Sequence, residues 1–502
     1  MEAEAEVLAL QLLLLLSDKV CSAMQIHRPA QALFVLLLFS FSSLSSLALG
    51  GLEPEQGSKK LHKTPNILFI LSDDAGYADF GFHGSTEIRT PHLDALAKEG
   101  TVFKQAYVSA AVCGPSRAGL LTGRYQQRFG YEENNVPGYM SVSGTTGDDM
   151  GLPLDQKTIA NYLQEQGYRT ALFGKWHQGN ADRFHPMNRG FDEFYGMRGG
   201  ARSYFPFSDS NLNHRPEDFL ERGIGTYAES PQYFTDALAD ASIAFIRRNK
   251  KQPWFAFVSL TAPHAPMQAM PEDLAKFPKL EGIRKIYAAM MLNMDRNIGR
   301  ILQTLEDEDL DKNTLVVFTN DNGGPSDQNA SNNQPLSGTK ANHLEGGIRV
   351  PFLMRWPGVT KASTQFDASI SLLDLLPTFT AAAGVKQNKL ANTDGVDLKP
   401  YITKKDKGDP HDYLYWKKEV RAAVRHGDWK LLRFPDRQAE LYNIAEDPAE
   451  LNDLAAAKPD MTAMLYQKLF EWELELERPA WQLKRQYEGA AIKRMDNYWD
   501  KK

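Results

Sequence analysis

Four short apolar runs, each followed at once by polar residues, stand out between residues 66 and 324. They are NILFIL (66–71), RTALF (169–173), WFAFVSL (254–260) and TLVVFT (314–319). Continuous apolar runs of this length, rich in β-forming residues, predict buried parallel strands. Periodicity alone does not distinguish such a run from a buried helical segment, so the assignment as strands also depends on the flanking segments.

Segments with helical spacing of apolar residues lie between the four runs, at residues 91–100, 158–167, 233–249 and 287–308. Several of them end in Gly or Asn, as helices often do. This alternation predicts an α/β fold with a large, mostly parallel sheet covered by helices on both faces. Ligands bind beyond the carboxyl ends of the strands in such sheets, so the polar residues after the four runs are expected to meet at one edge.

The pattern changes after Pro351. Residues 369–384 have helical spacing, and residues 413–434 predict short strands with a turn at 426–428. Residues 439–455 predict a hairpin, and the amphipathic stretch after them predicts a final helix. We therefore expect a larger domain over 65–385 and a smaller C-terminal α+β domain over 386–502, with a small antiparallel sheet.

The first fifty residues have the features of a targeting leader. From Met24, a basic start leads into an apolar stretch and a small-residue cleavage site near residues 48–51. This apolar stretch is short of the roughly 20 residues that span a bilayer, so we expect export and no stable membrane anchor. Residues 1–23 are consistent with an upstream start codon, and residues 51–64 form a polar linker.

Only two cysteines occur in the 502 residues, and Cys21 falls within the leader. A single cysteine in an exported chain indicates an intermolecular bond, a reactive thiol or a chemically altered residue. A buried apolar thiol is the alternative. The residues around Cys113 therefore have to decide among these interpretations.

The formal net charge is −6, and no basic run indicates nucleic acid or a membrane surface as partner. Any anion site must therefore come from a local cluster. The pairs Asp73-Asp74 and Asp321-Asn322 offer hard oxygen ligands at two predicted strand ends, which favours Ca²⁺ or Mg²⁺ over a soft metal. The chain has no HExxH or CxxC spacing that would indicate zinc.

Cationic and imidazole side chains follow the other predicted strands or lie in a Gly/Asn-rich segment; they are Lys175, His177, His264 and Lys340. A histidine in a loop is more often structural, and position at a strand end is what singles these out. The histidines at 83, 92 and 185 lack that context, as does His214, for which a contact with the substrate stays open.

The stretch CGPSRAGLLTGR begins at Cys113 and has the features of a helix start, because Pro115 is favoured in a first turn. A helix N-terminus stabilises negative charge, and Arg117, one turn on, is expected to point to the same place. The sequence therefore predicts an anion-binding position beside the unusual cysteine.

These twelve residues resemble the sulfatase signature C-x-P-S-R-x-x-x-x-T-G-R, and chance agreement at seven fixed positions is about one window in 10⁸. The blocks SDDAGYADFG, GKWHQG, TAPHAP, NDNGG and SGTKANHLEGGIRVPF are similar to blocks of the same family, in the same order. The resemblance covers about residues 65–355, and the tail is similar to the family's small C-terminal domain. It implies an alkaline-phosphatase-like fold and removal of sulfate from an ester.

The resemblance also implies a mechanism. A formylglycine-generating enzyme would convert Cys113 to Cα-formylglycine, and one oxygen of the hydrated aldehyde would attack the sulfate sulfur and expel the alcohol. Loss of a proton from the second hydroxyl would then release the sulfate. Ca²⁺, or less favourably Mg²⁺, would be held with residue 113 by Asp73, Asp74, Asp321 and Asn322.

The remaining roles follow from the same resemblance. Arg117 and Lys175 would steady the diol, and His177 would be the base for elimination. His264, Lys340 and Lys175 would bind the sulfate, with the first two assisting the departing oxygen. A cation with Arg and two Lys suits a sulfuryl group that gains charge.

Two other functions stay open at this stage: a phosphoester or phosphonate hydrolase of the same superfamily, and a non-catalytic binder of sulfated glycans. The substrate expected is a sulfated small molecule or glycan, with a sulfated carbohydrate favoured over an aryl ester. Residues 195–227 are rich in aromatics, Arg and Asn and are expected to contact it. The expected location is periplasmic or extracellular, or lysosomal or secretory in a eukaryote, where the sequon Asn329-Ala330-Ser331 gains meaning. The oligomeric state is not indicated.

Overall fold

The computed structural model describes residues 64–206, 218–228, 231–390 and 392–496. The predicted leader, Cys21 and all but the last residue of the predicted linker lie outside the described residues, as does His214. The described residues fall within the unit His62–Lys502.

Eighteen strands occur in the described part of the chain. In order they are β1 Asn66–Ser72, β2 Thr101–Phe103, β3 Ala106–Tyr107, β4 Ser141–Gly144, β5 Arg169–Lys175, β6 Glu193–Met197, β7 Glu221–Arg222, β8 Trp254–Ser259, β9 Thr314–Asn320, β10 Arg349–Val350, β11 Phe352–Arg355, β12 Thr364–Phe366, β13 Ile370–Ser371, β14 Leu414–Lys418, β15 Arg421–His426, β16 Trp429–Arg433, β17 Glu440–Asn443 and β18 Trp481–Leu483.

The α-helices of the described residues are α1 Pro91–Glu99, α2 Cys113–Thr122, α3 Ile159–Glu165, α4 Phe234–Asn249, α5 Pro271–Leu274, α6 Gly282–Asp307, α7 Ser326–Asn329, α8 Glu345–Ile348, α9 Leu375–Ala382, α10 Lys399–Ile402, α11 Pro459–Glu473 and α12 Ala490–Asp496. Short 3₁₀ turns connect several of them. Across the described ranges, none of these helices combines the length and apolar character needed to cross a membrane.

The four apolar runs become β1, β5, β8 and β9, as predicted, in a nine-stranded sheet of order β12-β2-β11-β9-β1-β8-β5-β6-β7. The five strands from β9 to β6 are mutually parallel, and antiparallel β11 and β7 flank them. The predicted fold class, a large, mostly parallel sheet between helices with a small antiparallel sheet near the C-terminus, is confirmed.

Side chains of β1 alternate between two buried cores. Ile67, Phe69 and Leu71 face the core that includes α2, α3 and α9, whereas Leu68 and Ile70 face the core that includes α1, α4 and α6. All five side chains are fully buried. The two-residue period of a strand thus explains why the run is continuously apolar, since both faces of the sheet are covered.

The C-terminal region contains the antiparallel sheet β14-β15-β16-β17, with its predicted turn between β15 and β16. Leu465, Leu469 and Trp472 of α11 pack with apolar residues of this sheet. The sheet also faces the main core, where Trp416 donates its indole N–H to the Val108 carbonyl at 2.6 Å.

Three sequence predictions need correction. The hairpin predicted for 439–455 is wrong: only β17 forms, because the Asp447 carboxylate accepts from the Leu451 and Asn452 amides and turns the chain. The helix predicted for 369–384 is only α9, since residues 370–371 pair with β3 instead. Helix α6 begins at Gly282, five residues before the predicted start at 287.

Candidate active site

The polar residues that follow the parallel strands meet at one edge of the large sheet. They are Asp73 and Asp74 after β1, Lys175 at the end of β5, His264 after β8, and Asp321 and Asn322 after β9. Strand β1 pairs with β8 on one side and β9 on the other, so the chain crosses over in both directions from it. Such a switch point leaves a crevice at the strand ends, which is where these residues lie.

Buried ion pairs tie this edge together. Lys175 Nζ donates to Asp73 Oδ2 at 2.6 Å, and both side chains are fully buried. Arg117 Nε donates to Asp321 Oδ2 at 2.9 Å. Burial works to raise the pKa of Asp73, but the charges of the surrounding cations, led by Lys175, hold that pKa well below its ordinary value.

Cys113 begins α2, as predicted, and its Sγ lies 3.6 Å from Asp73 Oδ1. The amide of Gly114 donates to Asn134 Oδ1 at 2.7 Å, so a side chain already satisfies one of the free amides in the first turn of the helix. Burial raises the pKa of the Cys113 thiol to about 12 in spite of the nearby Lys175 and Lys340. The unmodified thiol is therefore protonated and a poor nucleophile at neutral pH.

Lys340 lies in the loop between α7 and α8, and its side chain contacts Cys113. Its Nζ donates to Asp74 Oδ2 at 2.8 Å and to Cys113 Sγ at 3.1 Å. Burial opposes its charge, but Asp74 and the surrounding carboxylates raise the pKa of Lys340 well above its ordinary value. A permanent positive charge thus lies beside residue 113.

Several oxygens at this edge have the features of a cation site. Asp321 Oδ1 and Asn322 Oδ1 are buried and have no hydrogen-bond partner within the described ranges. One ligand atom each from Asp73, Asp74, Cys113 and His264 lies within 4.8 Å of the others. Burial, and then repulsion from Asp73, raises the pKa of Asp321 to about 6. A hard divalent cation would pair the orphaned oxygens and relieve that repulsion, so the residues fit Ca²⁺ or Mg²⁺.

His264 is oriented by the chain that carries it. Its Nδ1 lies 2.6 Å from the Ala265 carbonyl oxygen, which can only accept, so Nδ1 carries the proton. Its Nε2 then faces the site, 3.4 Å from Asp74 Oδ2. The hydroxyl of Tyr204 donates to the His264 carbonyl at 2.9 Å and fixes the loop.

His177 follows β5 with a φ of 58°, in the left-handed region that this residue type seldom adopts. Its amide donates to the Arg198 carbonyl at 3.0 Å, and its buried Nδ1 lacks a partner among the described residues. Burial, and then the charges of Lys175 and Arg117, lower the pKa of His177 well below its ordinary value. The ring is therefore neutral at neutral pH.

Three further residues support the site, and sequence reasoning missed them. Ser259 donates to the Lys175 carbonyl and accepts from Arg117 Nη1, both at 2.6 Å. Gln178 Nε2 donates to the Gly114 carbonyl at 2.9 Å. Asn329 Nδ2 donates to the Asp74 carbonyl at 2.9 Å, and its side chain is buried. In the sequence, Asn329 stood out as part of a sequon and not as a residue of the site.

The insertion at 195–227 is described except for residues 207–217. Arg198 is mostly buried and donates to Glu221 at 2.9 Å, joining the two described parts. These contacts lock β6 and β7 beside His177, so part of the insertion is structural. Its predicted contact with substrate stays a prediction.

Comparison with known proteins decides the family. A profile described as Sulfatase matches residues 65–385, and one described as N-sulphoglucosamine sulphohydrolase, C-terminal, matches residues 340–475. The chain belongs to the sulfatase family. It is accordingly a sulfuric ester hydrolase, which confirms the resemblance and the enzyme class predicted from Cys113 and its neighbours.

Two curated relatives illustrate the similarity of this sulfatase to other members. Steryl-sulfatase of Mus musculus is 31% identical over 427 residues, covering 70% of this chain and 67% of the relative. N-acetylgalactosamine-6-sulfatase of Mus musculus is 31% identical over 414 residues, covering 78% of this chain and 75% of the relative.

Solved structures agree in fold. The crystal structure of Ps i-CgsB in complex with k-i-k-neocarrahexaose is 36% identical, with a TM-score of 0.78, covering 87% of this chain and 98% of that one. The phosphonate monoester hydrolase SpPMH from Silicibacter pomeroyi has a TM-score of 0.60 at 21% identity, covering 84% of this chain and all of that one. The second likeness concerns the fold alone.

Proposed function

We propose that this sulfatase removes sulfate from a sulfated carbohydrate, using a formylglycine made from Cys113 and a bound Ca²⁺. The observation that carries the proposal is the position of Cys113: its thiol is protonated and buried, yet it lies between Lys340 and Asp73. A cysteine that is a poor nucleophile at the centre of a charged site is better explained as a precursor.

The cation would be held by Asp73, Asp74, Asp321 and Asn322 together with residue 113. The orphaned oxygens of Asp321 and Asn322 support this ligand set, and the oxygen donors favour Ca²⁺ over softer metals. When bound, the cation would stabilise the negative charge that develops on the sulfuryl oxygens. Mg²⁺ is the less favoured ion.

When formed, the hydrated aldehyde at residue 113 would supply the oxygen nucleophile. Lys340, beside Cys113, and Lys175 would bind the sulfate through their ammonium groups. Arg117 would orient residue 113, since its Nη2 lies 3.6 Å from Asp73 Oδ2, next to Cys113, and makes no hydrogen bond in the described part of the chain.

The two histidines would handle protons. His177 is neutral and would accept the proton whose loss releases sulfate. His264 presents Nε2 to the site and would bind the sulfate and, when protonated there, assist the departing alcohol oxygen. The role of His264 rests on geometry at the strand ends, where its Nε2 lies 3.4 Å from Asp74 Oδ2.

The carbohydrate assignment draws on relatives. One is named for a sulfated amino sugar, and Ps i-CgsB was crystallised with a carrageenan oligosaccharide. We further propose that residues 65–385 form the catalytic domain, residues 386–502 a supporting subdomain, and residues 1–50 a leader that directs export. A formylglycine-generating enzyme would act during maturation.

The test combines mass spectrometry with a substrate panel. The peptide carrying Cys113, isolated from the native host, should be lighter than the thiol form by the change from cysteine to formylglycine. Sulfate release should occur from sulfated saccharides, and Cys113→Ala should abolish it. An unmodified thiol in active enzyme would refute the formylglycine. Activity confined to steryl sulfate, aryl sulfate or an aryl phosphate would refute the carbohydrate assignment.

A further inference from the structure

A second group of buried charges lies where the C-terminal sheet meets the main domain. Lys430 of β16 places its Nζ 2.9 Å from Glu345 Oε1 and 2.8 Å from Glu450 Oε1. All three side chains are fully buried. We call these three residues the lysine clasp.

The lysine clasp is built into the loop that carries Lys340. Glu345 begins α8, a short way along the chain from Lys340, and its amide donates to Glu450 Oε2 at 2.7 Å. Within the loop, the Gly346 amide donates to the Ser337 carbonyl at 2.6 Å, which closes the segment around Lys340. Residues from β16 and the segment after β17 therefore hold the far end of the Lys340 loop.

The same loop touches the other side of the site. The Gly323 amide donates to the Gly347 carbonyl at 3.0 Å, directly after Asp321 and Asn322. The Ala341 amide donates to the Ala111 carbonyl at 2.8 Å, close to Cys113. A shift of the loop would therefore move Lys340, and it would disturb the oxygen ligands after β9 and the start of α2.

Energetics favour a positioning role for the lysine clasp. Burying an ion pair costs much of the attraction it provides, so apolar side chains would stabilise the interface at least as well. Apolar contacts have no preferred direction, whereas the charge-assisted hydrogen bond from Lys430 to Glu345 requires a defined geometry. Tyr107 adds a third partner, since its hydroxyl donates to Glu345 Oε2 at 2.7 Å.

We propose that Lys430 is a positioning residue of this sulfatase: through Glu345 and Glu450 it fixes the loop that places Lys340 beside residue 113. The proposal rests on the proposed role of Lys340 in binding sulfate. Under this proposal, the C-terminal sheet contributes to catalysis by positioning Lys340 and does not itself contact the substrate.

The test compares Lys430→Met with Arg433→Met. Arg433 lies on the same strand, and its Nη1 and Nη2 donate to the Glu473 carboxylate of α11 at 2.6 and 2.7 Å. In Lys430→Met, kcat/KM for a sulfate ester should fall about tenfold to a hundredfold below that of Arg433→Met, and inhibition by inorganic sulfate should weaken. Both enzymes are measured well below their melting temperatures.

Hydrogen exchange of the peptides covering 337–348 gives a readout that does not need activity. Exchange there should rise in Lys430→Met and stay at the wild-type level in Arg433→Met. If wild-type protein lacks sulfatase activity, the proposed function fails while the exchange result still tests the clasp.

A milder variant covers the case in which Lys430→Met does not fold. Glu450→Gln keeps the Lys430–Glu345 pair and should change exchange and kcat/KM in the same directions, by about twofold to fivefold. Unchanged exchange in the loop, or equal kinetic losses in the Glu450→Gln and Arg433→Met enzymes, would overturn the proposal.

Discussion

Lys340 and Glu345 stand on one loop but belong to two buried charge clusters that are compensated differently. In the lysine clasp, Lys430 Nζ lies within 2.9 Å of both glutamates, and the Glu345 carboxylate also accepts from Tyr107. At the strand ends, by contrast, Asp321 Oδ1 and Asn322 Oδ1 are buried without partners among the residues described. Buried polar atoms are rarely left unpaired. We therefore expect a bound cation to pair with the free oxygens of the second cluster.

The contrast separates two uses of buried charge. A compensated cluster holds elements together and specifies their positions. An incompletely compensated cluster, with Asp74 and His177 at positive φ, retains strain and free ligand atoms for chemistry. The predictions below sharpen or break this distinction.

The largest effect is expected at the nucleophile position. Cys113→Ala should reduce sulfate release about a thousandfold or more, because alanine cannot be converted to the aldehyde that would supply the oxygen nucleophile. The melting temperature should change little, since Lys340 and Asp73 keep their pairs with Asp74 and Lys175 when the thiol is removed. Turnover is followed by sulfate release and folding by circular dichroism. Retained turnover would contradict the proposed chemistry.

Removing one ligand charge should have the next largest effect. Asp321→Asn keeps the shape of the side chain but removes the charge, so we expect an activity loss of about a hundredfold and weaker calcium binding. Adding CaCl₂ to chelator-treated wild-type protein should raise its melting temperature, and this rise should shrink in the variant.

The control for that experiment is the same change at the exposed Asp148. Asp148→Asn should behave as wild type in both measurements. An equal calcium response in wild type and Asp321→Asn would remove Asp321 from the ligand set.

A smaller effect is expected beside His177. A Cβ on Gly200 would lie 2.9 Å from Cε1 and Nε2 of the His177 ring, so Gly200→Ala should displace the ring and lower kcat about tenfold. Gly489→Ala is the matched control, because a Cβ there meets nothing within 4 Å. Identical kcat values for the two variants would show that the ring position does not limit turnover.

The smallest effect concerns the stability of the lysine clasp. Burial, opposed by Lys430 but aided by Glu345, raises the pKa of Glu450 from 4.5 to about 7. The folded state then binds a proton more tightly than the unfolded state, so this stabilisation is present below pH 4.5 and is lost as the pH rises through 7.

Thermal melts across this pH range check the sign. Relative to Glu450→Gln, which cannot titrate, the melting temperature of the wild type should fall by about 2–3 °C between pH 4.5 and 7. A rise in melting temperature over that interval would contradict the raised pKa of Glu450.

Much of the sheet was predictable, because buried parallel strands leave continuous apolar runs such as residues 66–71 and 314–319. The meeting of the strand ends followed from the topology of α/β sheets. The start of α2 was predictable too, since Pro115 is a residue type favoured in the first turn of a helix.

Other features depend on contacts between residues far apart in the chain. Nothing in the local sequence joins Lys430 to Glu345, and Ser259 looked like an ordinary member of the apolar run 254–260. The hairpin after β17 failed because the side chain of Asp447 competes for backbone amides, which an alternation pattern does not reveal.

The buried amide of Asn329 has a consequence for biosynthesis. A glycan attached to its Nδ2 would remove a hydrogen from the atom that donates to the Asp74 carbonyl and would not fit the folded interior. In a eukaryotic secretory cell, oligosaccharide transfer to the nascent sequon would therefore compete with folding. Every molecule that acquired the sugar first would be lost from the active pool, so secretory yield would depend on which event is faster.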